Sequence, residues 1–297
     1  MAYTTINKSS LNFNTKLYTG NGGTNAQTGV GFKPDLTWIK NRTASGEGHH
    51  LYDVVRGVTK RIRSDTNAAE STVSTGLTTF GTDGFTVGNT AGVNGNGNGI
   101  VAWNWKAGTA VSGNTTGSGT YKSYSGSVNT TAGFSIIKYT GNGAAGHTIP
   151  HRLGVTPSTI FVKMTSDTGD WSSYHSALGN TKYMRLSGSG TSTTSSTYWN
   201  NTSPNSTNFT VGTTGNLNGN NSTFIAYCFA DVKGYSKMSG YTGNANTNGT
   251  FVYTGFKPTF VMFKATASNE SWQIYDTKRN PANALGEYLN PNNTSAA

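Results

Sequence analysis

One cysteine, Cys228, stands in 297 residues, so no disulfide forms within the chain. Stiffness must come from packing or from assembly. Charge is also scarce: 11% of residues are Asp, Glu, Lys or Arg, and only 12 are acidic, which leaves a net charge of +10. No two of those acids suggest themselves as the acid and nucleophile of a glycosidase. Long apolar runs are absent. "TFVMFKA" is far too short to span a bilayer, and "MAYTTINKSSLNF" lacks the apolar stretch after a basic start that marks a leader. A chain made in the cytoplasm, without membrane insertion, is therefore expected. The sequence has no GxSxG, no phosphate-binding loop and no paired Cys/His zinc spacing. No catalytic residue, metal or cofactor is assigned.

Glycine, with 39 residues, and Ser, Thr and Asn fill the gap. Hydrophobic residues reach only 33%. Low hydrophobicity implies disorder when charge is high and aromatics are few. Here charge is low, and there are 6 Trp, 15 Tyr and 13 Phe. Aromatic and β-branched side chains suit pleated sheets, and Gly and Asn supply turns that need positive φ. No window of 11 residues carries a 3.6-residue period. An all-β chain with many polar turns is expected. Cys228, in the alternating "FIAYCFA", reads as a small buried hydrophobe.

The chain repeats itself. "GFKPDLTWIKN" starts at Gly31, "GVTPSTIFVKM" at Gly154 and "GFKPTFVMFKA" at Gly255. Pro34, Pro157 and Pro258 set the register, because proline belongs at the start of a strand. A Tyr follows each Pro by 17 or 18 residues, at Tyr52, Tyr174 and Tyr275. Asp53, His175 and Asp276 come next. "GFTVGNT" at Gly84 matches "NFTVGTT" at Asn208. Ala102 lies 68 residues after Pro34, and Ala226 lies 69 after Pro157. Leu36, Trp38 and Lys40 alternate with Thr37 and Ile39 across the first strand. The equivalent strands of the second and third copies are apolar on both faces, as in a two-layer packing. Short strands with frequent turn signals point to tandem jelly-roll or β-sandwich (concanavalin-like) modules, strung head to tail. The expected units are module 1 over residues 1–110, a Gly/Ser/Thr linker over 111–127, module 2 over 128–235 and a partial module 3 over 236–297. By the same spacing the last aromatic strand of the third copy is expected near residue 326. Either a longer natural chain or neighbouring chains would complete it, and the first is favoured.

Several residues invite a site. His49 and His50 are adjacent, so on a strand they face opposite ways and chelate poorly. His147 and His151 flank a loop proline, with no third ligand in view. "KRIR" (Lys60 to Arg63) reads as a solvated strand end or loop, and no nucleic-acid partner is inferred. "GNGNGN" reads as a hairpin tip. Trp103 and Trp105 share a strand face and read as core. Trp171 and Trp199 are the carbohydrate-stacking candidates, with a structural role as the alternative. The Asp-to-His change at His175 argues against a shared chemistry in the copies.

Across nearly its whole length the chain resembles a family of tailed-bacteriophage virion proteins common in phages of marine cyanobacteria and other marine bacteria. The segments that carry this are "MAYTTINKSS", "YTGNG", "GFKPDLTWIKNR", "HHLYDVVRG", "VAWNWKAG", "TYWNNTSP" and "DVKGYSKMSGYTGN". The resemblance implies a non-enzymatic structural protein of the particle with lectin-like jelly-roll modules. A fibre or host-attachment appendage is favoured, with a capsid decoration or head fibre as the alternative and a carbohydrate-active enzyme as a remote one. Other virion proteins, a homo-oligomer (a trimer favoured) and a host-surface glycan are the partners expected, and the virion the location, with assembly in the host cytoplasm.

Overall fold

Alternation within the strands explains the layers. A computed structural model describes residues 4–282 and 286–297; residues 1–3, where the leader reading and module 1 begin, and residues 283–285 of the third copy lie outside it. The fold is all-β, with 37% of the described residues in strands and 5% in helix. The first copy forms β1 (Phe13–Thr19), β2 (Asn25–Gln27), β3 (Leu36–Asn41), β4 (His49–Asp53), β5 (Lys60–Arg63), β6 (Ser71–Thr72), β7 (Leu77–Gly81), β8 (Gly84–Val87), a helical turn α1 (Ala91–Asn94) and β9 (Gly99–Trp105). Then follow β10 (Thr109–Asn114), β11 (Thr116–Gly117), β12 (Ser123–Asn129), β13 (Phe134–Thr140), β14 (His147–Pro150), β15 (Thr159–Met164), β16 (Ser172–His175), β17 (Lys182–Arg185), β18 (Thr193–Thr194), α2 (Ser196–Trp199), β19 (Asn208–Val211), α3 (Gly215–Asn218) and β20 (Thr223–Phe229). The last pair is β21 (Phe260–Phe263) and β22 (Gln273–Asp276).

A six-stranded sheet runs β1-β9-β3-β4-β5-β6, and an eight-stranded sheet runs β10-β12-β13-β20-β15-β16-β17-β18. Three-stranded sheets β2-β8-β7 and β11-β14-β19 accompany them, and β21 pairs with β22. The order β1-β9-β3-β4-β5 recurs as β13-β20-β15-β16-β17, with Trp103 in register with Trp38 and Tyr227 with Phe161. All named ladders are antiparallel, as in sandwiches and jelly rolls.

Each large sheet buries both faces. Ile39, Tyr52, Ile100 and Ala102 join Leu77, Phe85 and Val87 in one core, between the six-stranded sheet and β2-β8-β7. Ile137, Val162, Phe224 and Cys228 join Ile149, Phe209 and Val211 in a second. The opposite faces meet in a third core: Leu36, Trp38 and Trp103 from the first sheet, Ile136, Ile225 and Tyr227 from the second, and Trp272, Ile274 and Leu289 from the third copy. The copies are therefore not strung head to tail. They turn their inner faces onto one another, which is why β3 and β15 are buried at every position. β21 departs from the expectation of burial on both faces, since its outward Val261 is exposed.

Residues 111–127, expected as a linker, form strands. β10 and β12 extend the eight-stranded sheet, and β11 pairs with β14. Gly126 permits this, because a Cβ there would sit 2.4 Å from the Ile136 carbonyl oxygen.

Candidate functional site

The central core is lined by charge as well as by rings. Asp53 ends β4 and folds back on its own turn: its Oδ1 accepts from the Val55 and Arg56 amides, and its Oδ2 accepts from Arg56 Nε at 2.5 Å. The guanidinium also donates to the Leu51 carbonyl at 3.0 Å. Asp276 and Arg279 repeat this after β22, with Nε to Oδ2 at 2.6 Å and a donation to the Ile274 carbonyl at 2.8 Å. All four side chains are fully buried. Burying such a pair is costly unless its remaining groups are satisfied. Each carboxylate therefore takes one more hydrogen bond, and it comes from a different copy. Tyr227 Oη donates to Asp53 Oδ2 at 2.8 Å, and Trp103 Nε1 donates to Asp276 Oδ2 at 3.1 Å. Burial, and then the Asp53 charge, push the Tyr227 hydroxyl well above its usual range, so it remains a donor.

These bonds belong to a cycle. Tyr227 and Trp103 occupy equivalent places in β20 and β9. The second copy thus donates to the first, and the first to the third. Backbone links run the other way: the Glu70 amide donates to the Thr165 carbonyl at 3.0 Å, Ser192 to Thr266 at 3.0 Å and Ala297 to Arg42 at 2.9 Å. Donors and acceptors are each at matching positions of the repeat, eight residues past Pro157, Pro258 and Pro34 for the acceptors. Side chains add to it. Trp171 Nε1 donates to the Arg63 carbonyl at 2.8 Å, and Trp272 Nε1 to the Arg185 carbonyl at 2.9 Å. The matching residue of the first copy is His49, which lies within electrostatic reach of the Asn290 backbone. One chain thus closes a ring of three with the pattern of a cyclic trimer.

A half-enclosed cavity of about 1080 Å³ opens where the inner faces meet, lined by Phe13, Trp105, Phe134, Phe229, Phe260 and Tyr241 among others. Trp105 joins the copies there, with ring centroids 6.4 Å from Phe134, 6.2 Å from Phe229 and 5.8 Å from Phe260.

A family model described as a domain of unknown function, DUF7483, matches residues 8–297, so it takes in all three copies as one unit. The chain belongs to the DUF7483 family. No curated protein and no solved structure matches it.

In this DUF7483 chain neither sugar-stacking candidate offers a face to solvent. Trp171 is 0% exposed, stacked on Tyr227 at 6.2 Å within the central core. Trp199 is 1% exposed and meets Tyr174 edge-on inside the second sandwich. Both rings fill cores, so both stacking assignments are withdrawn. Trp103 is likewise core, and Trp105 packs against the same cluster, although in the layer between sheets and not within a sandwich. His49 Nδ1 accepts from Trp38 Nε1 at 3.0 Å, while His50 points to the opposite core beside Tyr52. His147, which opens β14, bonds Asn218 Oδ1 and Thr115 Oγ1, and His151 bonds the Asn205 carbonyl. Among the described residues no group of three His, Cys, Asp or Glu is disposed to hold a metal. "KRIR" is β5, a strand whose Ile62 enters the central core. Cys228 is buried, its thiol pushed up to about 12 by burial. Sequence reasoning missed Asp53–Arg56 and Asp276–Arg279, although "YDVVR" and "YDTKR" recur in the text. It also missed Lys40 and Lys163, which are buried amines lowered to about 8 chiefly by burial.

Proposed function

We propose that this chain is a non-enzymatic structural protein of a tailed-bacteriophage particle, a component of a fibre or appendage that serves host attachment. The observation that carries this is the closed ring. The strongest buried polar groups of the central core, Asp53, Arg56, Asp276 and Arg279, are spent on one another and on holding copies together. A reaction centre needs such groups turned toward a substrate; a mechanical unit needs them turned inward. The resemblance over nearly the whole chain supplies the particle. Other virion proteins, further copies of the chain and a host-surface glycan are the proposed partners, and the virion is the proposed location. With Trp171 and Trp199 buried, the glycan contact is assigned to exposed loops and to no named ring.

Purified particles test this through peptide counting by mass spectrometry and immunogold labelling. Tens of copies, labelled at the tail or its appendages, are expected. Hundreds of copies on the head would replace the appendage with a head decoration. A chain absent from purified particles would overturn the proposal, and so would shortening of host polysaccharide by the pure protein.

A further inference from the structure

The ring is closed, but its three members are not equally covered. In the first copy β3 lies between β4 and β9, and the Asp35 and Arg42 amides donate to the Trp105 and Gly99 carbonyls at its two ends. In the second copy Ser158 and Thr165 do the same to Phe229 and Thr223. In the third copy the matching strand is β21, which among the described residues pairs with β22 alone.

The recurring "YTGN" tells the same story. Tyr18 Oη donates to the Val93 carbonyl at 2.6 Å and Tyr139 Oη to the Leu217 carbonyl at 2.8 Å, each at a helical turn that leads into the aromatic strand. Gly20 and Gly141 press on the ends of those turns, where a Cβ would meet the Gly95 or Gly219 carbonyl oxygen at 2.1 or 2.5 Å. In the third copy Gly243 has nothing within 4 Å of such a Cβ, and Tyr241 is 56% exposed. Phe251 and Tyr253 are 85% and 76% exposed, and Phe251 stands where the first copy has Gln27, in the strand paired to β8. These exposed aromatics all belong to the third copy, and the cavity opens beside β21, whose Phe260, Val261, Met262 and Phe263 line it. Open edges and grouped apolar surface are features that proteins cover.

We infer that β21 and the adjoining cavity receive one further β-strand, antiparallel to β21, carried by a polypeptide segment of the β8–α1–β9 pattern: a short strand, a helical turn ending in Asn-Gly, and an apolar strand with aromatics at alternate positions. Main-chain bonds along β21 give the affinity and the alternate aromatics give the register, as in strand addition generally. The cycle specifies one contact. Donors run from the second copy to Asp53 and from the first to Asp276, so the aromatic at the Trp103 position of the incoming strand reaches His175, which lines the cavity. A second copy of this chain is the poorer donor, because its own β9 and β20 are central strands that hold both neighbours. The inference is independent of the particle assignment.

The test uses the whole chain and a synthetic peptide with the sequence of residues 84–106. The peptide should bind one per chain and slow amide hydrogen exchange at residues 259–266 and 236–244. Replacing its tryptophan at position 103 by alanine should weaken binding at least about tenfold, and His175→Ala in the chain should weaken it as well. A peptide of the same composition in scrambled order should not bind. Absence of binding, or protection confined to other strands, would overturn the inference. A dimer of the chain alone with the same protected edge would overturn it too, by making the second copy the occupant.

Discussion

At the scale of residues, the informative side chains are the ones that should not be buried. Asp53 is tolerated in the central core because two amides, a guanidinium and the Tyr227 hydroxyl satisfy it. Tyr227→Phe removes the hydrogen bond to Asp53 and a longer one accepted from Arg56 at 3.4 Å, and leaves the packing, so it should cost at least about 1.5–3 kcal/mol. A lower urea midpoint with unchanged slope would report this, and an unchanged midpoint would discount the bond. Histidine gives a second expectation. All five, His49, His50, His147, His151 and His175, are lowered from their ordinary value, in every case chiefly by burial. Their unfolded value is about 6.5. Below it the unfolded chain takes up protons that the folded chain refuses, so stability is full above about pH 6.5 and is lost as pH falls. Urea midpoints at pH 7.5 and 5 should differ in that direction, and a flat profile would contradict the buried neutral imidazoles. Trp171 and Trp199 show the limit of reading such residues from sequence: an aromatic beside Ser, Asn and Asp looks the same whether its ring faces a sugar or a core.

At the scale of elements, the prolines made the repeat legible. Pro34, Pro157 and Pro258 stand just before β3, β15 and β21, and the Tyr that follows each lies in β4, β16 or β22. The stretch 111–127 was illegible for a physical reason. β10 and β12 are strands at the margin of their sheet, β10 is almost wholly exposed, and their Gly and Ser match the composition of the turns. A flexible linker there would be cut readily by proteases. Limited digestion with trypsin should leave Lys122 intact well after the exposed Lys237 is cleaved, since Lys122 is tied by its amide to Thr115 and by its amine to Asn221. Early cleavage at Lys122 would restore the linker. The ring was also hidden in the text. Strands apolar on both faces fit any packing with two covered sides, and nothing in one strand says which sheet covers it.

At the scale of the molecule, the shared core changes how the chain should unfold. Modules strung on linkers melt one by one, whereas sheets that close a common core must part together. Leu36, Trp38, Leu51 and Trp103 would all face water if residues 1–108 stood alone. Calorimetry of the whole chain should show one dominant transition, and the fragment 1–108 should aggregate or bind hydrophobic dye. Separate transitions with a soluble, well-ordered fragment would argue for independent units.

Because the three-way closure is written into a single polypeptide, a change at one position alters one of its three sides and no other. A trimer of identical subunits must accept every substitution three times. Here the second copy could take His175 where the others keep an aspartate, and each outer surface is free to diverge toward a different neighbour while the same centre is kept.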